Sequence, residues 1–457
     1  MDLFSEHAVV LFIIIFMWLE YLWEVFLNIR QINVYKKSTK IPQELQGVLD
    51  KETFEKARVY GLDKANFGMI KDFFSTVMNT GVIAFGWMAL LWGMGQRTAT
   101  QLHLPVGNEI VLSCYFMLIV NFFSTLIDLP FSIYHTFVLE AKHGFNKQTP
   151  AFFFKDKLKS FFVGQIISLP LTSIAVYIVQ SGGDMFIFWL WVFSGVMILL
   201  LVTIYPAVIA PLFDKYNPLP DGPLRTSIEQ LAASLKFPLG QLYVVEGSKR
   251  SAHSNAYFYG LFGTKRIVLF DTLLENYQKI EDEASVKKEE SKPLVAEPEK
   301  KKKGCSDAEV LAVLAHELGH WSHGHIHFNL VIMQVNLLLM FAAFGLMFQF
   351  APLYRALGFP AGQQPILVGM VAILQLVLAP YNALLTFLMT VLSRRFEFQA
   401  DNFAINLGHA QNLKKALIKL NIDNLGFPIY DPLYSSWHHS HPTLLQRMEK
   451  MDKKKER

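Results

Sequence analysis

The stretch His316-Glu-Leu-Gly-His320 carries residue types at a spacing that points to a reaction. Two imidazoles four residues apart fall on one face of a helix, one turn above the other, where both can reach a single zinc ion. Glu317, beside them, is placed to handle protons, the pattern of a zinc-dependent peptidase. Catalytic zinc sites take three protein ligands and keep the fourth position open. A third ligand must therefore come from elsewhere in the chain.

A histidine ten residues after His316 would complete a metzincin site, but that position holds Ile326. His323, His325 and His327 have the wrong spacing and read as helix surface in the cytosol or at the membrane interface. The other solution is a carboxylate on a later helix, as in His₂Glu sites. Arg394-Arg-Phe-Glu397-Phe-Gln-Ala-Asp401 supplies one. Glu397 is the expected ligand. Asp401 shares its helix face and is placed to accept a hydrogen bond from the outer nitrogen of a ligand histidine.

The elements that must bring these residues together are membrane helices. Apolar residues make up 52% of the 457-residue chain and charged residues only 18%, with apolar runs longer than eighteen residues. Seven spans can be read, roughly at 8–27, 73–95, 110–133, 161–181, 186–212, 330–350 and 366–392. The first lacks a basic leader and a small-residue cleavage site, so it reads as an anchor. Lysines and arginines crowd the segments between spans one and two and between spans three and four, while the alternate loops are nearly bare. The N-terminus is then expected outside or in a lumen, and the polar regions 214–328 and 394–457 in the cytosol. The histidines precede span six and Glu397 follows span seven, so two crossings return the chain to the same side. Helix rise sets His320 about 15 Å and Glu397 about 8 Å from the membrane core, if the helices are continuous. The metal is thus expected beside the bilayer, within reach of a substrate whose lipid tail stays among the spans.

The region after span five reads as α+β. An amphipathic helix around Ile228–Leu235 is followed by β-like runs at Gln241–Glu246 and Arg266–Phe270. Residues 279–304 are Glu/Lys-rich with two prolines, a disordered insert. Asp307 is the expected N-cap of the helix bearing the histidines. Cys114 and Cys305 are too few for a disulfide framework and fit a reducing compartment. The net charge of +4 suits anionic lipid head groups and gives no sign of nucleic-acid binding. Four parts follow: 1–213 with spans one to five, 214–329 with the HELGH helix, 330–393 with spans six and seven, and 394–457 completing the zinc site.

Further stretches extend the pattern: Glu52-Thr-Phe-Glu-Lys-Ala-Arg58, Lys142-His-Gly-Phe-Asn-Lys147, Gly247-Ser-Lys-Arg-Ser-Ala-His-Ser-Asn-Ala-Tyr-Phe258, Lys265-Arg-Ile-Val-Leu-Phe-Asp-Thr272 and Ser440-His-Pro442. In this order, with the two zinc stretches, the chain resembles the integral-membrane type I CAAX prenyl proteases, zinc metalloendopeptidases related to bacterial HtpX. The resemblance implies seven helices forming a barrel around a water-filled chamber, capped by a gluzincin-like zinc domain. It would explain ionisable residues within spans, such as Glu20, Glu24 and Asp128. It also implies removal of the C-terminal -aaX tripeptide from prenylated CaaX proteins at the endoplasmic reticulum, with one Zn²⁺ per chain. His441 would stabilise the oxyanion, and Asn255 and Ala256 would pair with substrate backbone. Arg447 is left between pairing with Asp401 or Glu397 and holding the substrate carboxylate. The C-terminal Lys454-Lys-Glu-Arg457 fits a dilysine retrieval signal. Two rivals stand beside this reading: a general membrane quality-control protease of HtpX type, and a non-catalytic seven-span receptor or transporter.

Overall fold

A computed structural model of the chain describes residues 5–260, 263–275, 277 and 303–455. The insert expected at 279–304 falls outside the described residues up to 302, as do the last two residues of the retrieval pattern. The first helix, α1 (Glu6–Lys37), starts at Ser5, whose hydroxyl accepts from the Ala8 amide, and ends in Lys36 and Lys37. At 32 residues it is about 48 Å long. The hydrocarbon core spans only about 30 Å, so the basic end projects beyond it.

The expected second span is two helices, α2 (Lys51–Ala84) and α3 (Trp87–Gln101), bent by 69°. The break falls at Gly86, whose φ of 61° is left-handed and where a Cβ would lie 3.1 Å from the Gly358 backbone. Next come α4 (Glu109–Tyr134), α5 (Pro150–Ser181), α6 (Phe186–Ile204) and the short α7 (Ala210–Phe213). Pro130 sits inside α4, which is followed by a π-turn at His135–Glu140, and Pro206 lies in a second π-turn, Tyr205–Ile209. After the protease region come α10 (His325–Met347), α11 (Ala351–Ala356), α12 (Ile366–Val371) and α13 (Ala379–Asn406). Pro380 lies in the first turn of α13, just past a bend of 59°.

Among the described residues five helices are each long and apolar enough to cross a membrane, and counting each bent pair as one span raises the number to seven. They close a ring in chain order. α1 packs on α2, α3 on α4, α4 on α5, α5 on α6 and α6 on α10; the turn before α13 lies on α10, and α13 returns to α1. The chain is thus an α-helical polytopic membrane protein with a barrel of seven spans. Exposed side chains such as Leu19, Ile166 and Leu346 suit acyl chains rather than water. Around α11, at the end away from the HELGH stretch, Ile13, Trp92, Leu190, Phe344 and Tyr354 make the largest apolar core.

At the other end lies an α+β unit. Its four strands, β1 (Tyr216–Pro218), β2 (Leu239–Val245), β3 (Ala256–Tyr259) and β4 (Lys265–Phe270), run in the order β1-β2-β4-β3. β2 and β4 are parallel and the other pairs antiparallel, which leaves β3 at an edge. Ile267, Val268 and Leu269 of β4 are all buried, as befits an inner strand covered on both faces. Helices α8 (Pro223–Ser234) and α9 (Asp307–Ser322) meet the sheet through Ile228, Ala232, Val310 and Leu314. The C-terminal α14 (Ala410–Asp423), α15 (Pro432–His438) and α16 (Leu444–Lys455) complete the unit.

Two local expectations are corrected. Ser306, not Asp307, caps α9: Ser306 and Glu309 form a reciprocal capping box, and Asp307 is the first helical residue. The helix bearing the histidines does not run on into the sixth span either. It stops at Ser322, and α10 starts at His325 after Gly324, whose φ is 69°. The 15 Å depth drawn for a continuous helix therefore does not apply to His320.

Candidate metal centre and its supports

α9 presents His316 and His320 to Glu397 of α13, with one ligand atom from each within 4.8 Å of the others. His316 Nε2 lies 3.4 Å from Glu397 Oε2, His320 Nε2 lies 3.3 Å from Oε1, and the two nitrogens are 3.3 Å apart. Tetrahedral ligands on bonds of about 2.0–2.1 Å sit about 3.3–3.4 Å from one another, so the triangle has the size a four-coordinate ion requires. Glu397 Oε2 is buried with no hydrogen-bond partner, a costly state for an isolated carboxylate oxygen and an apt one for a metal ligand.

Gly319 makes the approach of the two helices possible. A Cβ there would fall 2.9 Å from Ala400 Cα and 3.0 Å from Phe403 Cβ, so α9 and α13 meet almost backbone to backbone. Glu317, between the two histidines on α9, is partly buried. Burial pushes its carboxyl up from the ordinary range and Glu397 adds to this, while His316, His320 and Arg447 oppose it.

Comparisons with known proteins agree over the whole length. Residues 31–215 match the family described as CAAX prenyl protease N-terminal, five membrane helices, and residues 218–455 match peptidase family M48. The chain is 49% identical to the human CAAX prenyl protease 1 homolog, covering 96% of this chain and 94% of that protein. It is 47% identical to the mouse homolog, with 100% and 98% covered. Its fold is similar to the crystal structure of S. mikatae Ste24p, with a TM-score of 0.85 at 35% identity over 97% of this chain and 99% of that one. The chain belongs to the CAAX prenyl protease family of M48 peptidases. It is therefore a membrane-embedded metalloendopeptidase, and the His-His-Glu cluster is where such a protein can hold its metal.

Each expected support in this CAAX prenyl protease has a definite place. Asp401 Oδ1 lies 2.9 Å from His316 Nδ1. Arg447, buried at 8% exposure, donates from Nε to Asp401 Oδ2 at 2.9 Å, while its Nη1 stays 3.7 Å from Glu397 Oε2. Of the roles considered for Arg447, the geometry engages it with Asp401. His441, in the loop between α15 and α16, brings Nε2 to 3.2 Å from Glu397 Oε1 and keeps an exposed side chain. Ala256 opens the edge strand β3, and Asn255 precedes it with its carbonyl accepting from the Phe270 amide.

Other supports escaped the sequence reading. Arg394 Nη1 reaches the carbonyls of Ser435, His439 and His441 at 3.2–3.3 Å, stapling the His441 loop to α13. The signal was the Arg394-Arg395 pair beside Glu397. Asp431, which caps α15, accepts from Nε and Nη2 of Arg30 on α1 at 3.0 and 2.8 Å. Glu24, one of the charges inside a span, accepts from Trp437 Nε1 at 2.8 Å, and Asp128 pairs with Lys71 at 2.8 Å. The approach to β3 is clamped as well: Arg250 bonds Asp156 in bidentate fashion, Asn146 bridges Ser251, and His253 stacks on Phe145 at 4.1 Å. His325 was expected on the surface and is instead buried at 3% exposure, because the break at Gly324 turns it back toward His320. His323 bonds the Gly319 carbonyl at the end of α9, and His327 is exposed.

Proposed function

We propose that the chain removes the C-terminal -aaX tripeptide from prenylated CaaX proteins, with one zinc ion held by His316, His320 and Glu397. The observation that carries this reading is the triangle of ligand atoms, about 3.3 Å on a side, at one mouth of a seven-span barrel. Neutral imidazole and carboxylate donors in a tetrahedral arrangement suit zinc. A resident zinc ion would supply Lewis acidity and bring the pKa of a coordinated water toward about 7. Glu317 takes the proton of the attacking water and returns it to the leaving amine, a role that a carboxyl with a raised pKa serves well. His441 donates from Nε2 to the oxyanion of the tetrahedral intermediate. The free edge of β3 at Ala256, led by Asn255, aligns the substrate backbone as an added strand. Asp401 holds the His316 ring by its Nδ1–H, and Arg447 offsets the charge of Asp401.

In this reading residues 1–213 and 330–393 form the barrel, and 214–329 with 394–457 form the protease part. The N-terminus is lumenal and the protease part cytosolic, in the endoplasmic reticulum membrane with the continuous inner nuclear membrane also allowed. The basic side meets lipid head groups rather than nucleic acid. Cleavage of a farnesylated CaaX peptide by detergent-solubilised protein, compared with its unprenylated twin, tests the substrate. A strong preference for the farnesylated peptide is expected, and equal rates would favour general quality-control proteolysis. Glu317→Gln is expected to lower turnover about 100- to 10,000-fold while zinc stays bound, the range for general acid–base groups.

A further inference from the structure

Asp401 accounts for the orientation of His316, whereas among the described residues no carboxylate serves the other ligand histidine in the same way. His320 Nδ1 faces instead the Nδ1 of His325, at 2.9 Å. We propose that His325 is the positioning residue that sets the ring of His320 for metal binding, through a neutral hydrogen-bond chain ending on Gln399. The inference rests on the zinc-site reading above and deepens it.

The positions of the protons follow one from another. His320 Nε2 is the nitrogen turned toward Glu397 and His316, at 3.3 Å from each, so it must present a lone pair to the ion. The ring proton of neutral His320 is then on Nδ1. Nδ1–H can donate only to an unprotonated Nδ1 of His325. His325 in turn carries its proton on Nε2, and that nitrogen lies 2.8 Å from Gln399 Oε1, an acceptor. Every link thus has one donor and one acceptor, and no charge is buried.

The chain is also held rigidly. The His325 ring stacks on Phe396 with centroids 3.9 Å apart and planes 9° from parallel. Phe396 and Gln399 flank Glu397 on α13, so His325 locks a ligand of α9 to the helix that supplies the third ligand. On an unbroken helix two residues five apart would point about 140° away from each other. The left-handed Gly324 removes that constraint, and its Cβ-free backbone is what folds His325 back.

Zinc affinity of full-length detergent-solubilised protein, measured by competition with a chelator, tests the proposal without reference to activity. His325→Asn places an oxygen where Nδ1 accepts, whereas His325→Gln carries its oxygen near the Nε2 position. His325→Leu and His325→Gln are expected to weaken zinc binding about 10- to 100-fold, with His325→Asn recovering to within about threefold of the parent. His327→Leu, two residues on and exposed, is expected to bind as the parent does. Parent-like binding by His325→Leu, or equal losses for the Asn and Gln variants, would overturn the proposal in favour of simple packing. Should the Leu variant fail to fold, the Asn–Gln comparison decides alone. The zinc-site reading fails separately, and visibly, if His320→Ala retains stoichiometric zinc.

Discussion

His316 lies at 6% exposure against a carboxylate and a guanidinium, whereas His320, one turn on, faces a neutral imidazole and the loop of the exposed His441. The two flanks of one site thus use different physics. On the His316 side Asp401 and Arg447 are charges taken out of water, tolerable only as a pair with all their hydrogen bonds met. On the His320 side the groups behind the ring are neutral, and the groups that meet substrate remain open. The difference teaches that buried charge braces one flank, whereas the other joins a neutral positioning chain to open groups that meet substrate. Damage to the buried charges should appear as lost stability, damage to the His325 chain as weakened zinc binding, and damage to the open groups as lost rate.

The sharpest way to break this contrast is Arg447→Ala, which strands Asp401 in the interior. A destabilisation of about 3–5 kcal/mol is expected, seen as a lower thermal midpoint together with loss of metal. A stable, metal-replete variant with slow turnover would instead assign Arg447 to the groups that meet substrate. Next in size is His441→Ala. It should cut kcat about 100- to 1000-fold and leave the thermal midpoint and zinc content alone, because the side chain is exposed and its proposed role is to donate to the oxyanion. Loss of zinc in that variant would show that His441 helps to hold the metal.

Gly319→Ala should strike both flanks at once. Its Cβ would enter the contact with Ala400 and part the two ligand helices, at a cost of about 1–3 kcal/mol with weakened metal binding. Unchanged binding would mean that α13 can shift without moving Glu397. The smallest effect is expected away from the metal, at the capping box of α9. Burial raises the Glu309 carboxyl, but Lys419 at 2.7 Å and the Ser306 amide outweigh it and hold it below the ordinary value of 4.5. A depressed carboxyl stabilises the fold above about pH 4.5 and loses that contribution as the pH falls through the folded value. Thermal midpoints of parent and Glu309→Gln should therefore converge on acidification; a constant gap would remove the ion pair from the account.

Much of the scaffold was legible because its signals are local. Apolar runs of membrane length gave away the spans, and an i, i+4 pair of histidines with a glutamate needs only helix periodicity to be read. Glu397 could be inferred from the need for a third ligand, its helix-face pairing with Asp401 and crossing parity together. His325 could not, since an i+5 neighbour belongs to the opposite helix face unless the helix breaks, and Gly324 beside it does not announce a break by type alone. Ser306 was passed over for Asp307 because both are good caps, and only the reciprocal bond with Glu309 chooses between them.

The sequence by itself determined the membrane setting, the chemistry of the cluster and which residues were eligible to be ligands, because composition and spacing act within one or two helix turns. Only the tertiary structure decided how those residues are held. The backbone contact at Gly319, the staple from Arg394, the engagement of Arg447 with Asp401 and the fold-back of His325 join residues dozens of positions apart or across a broken helix. Such pairings are set by how closely two helices can pack and by the requirement that every buried polar group find a partner.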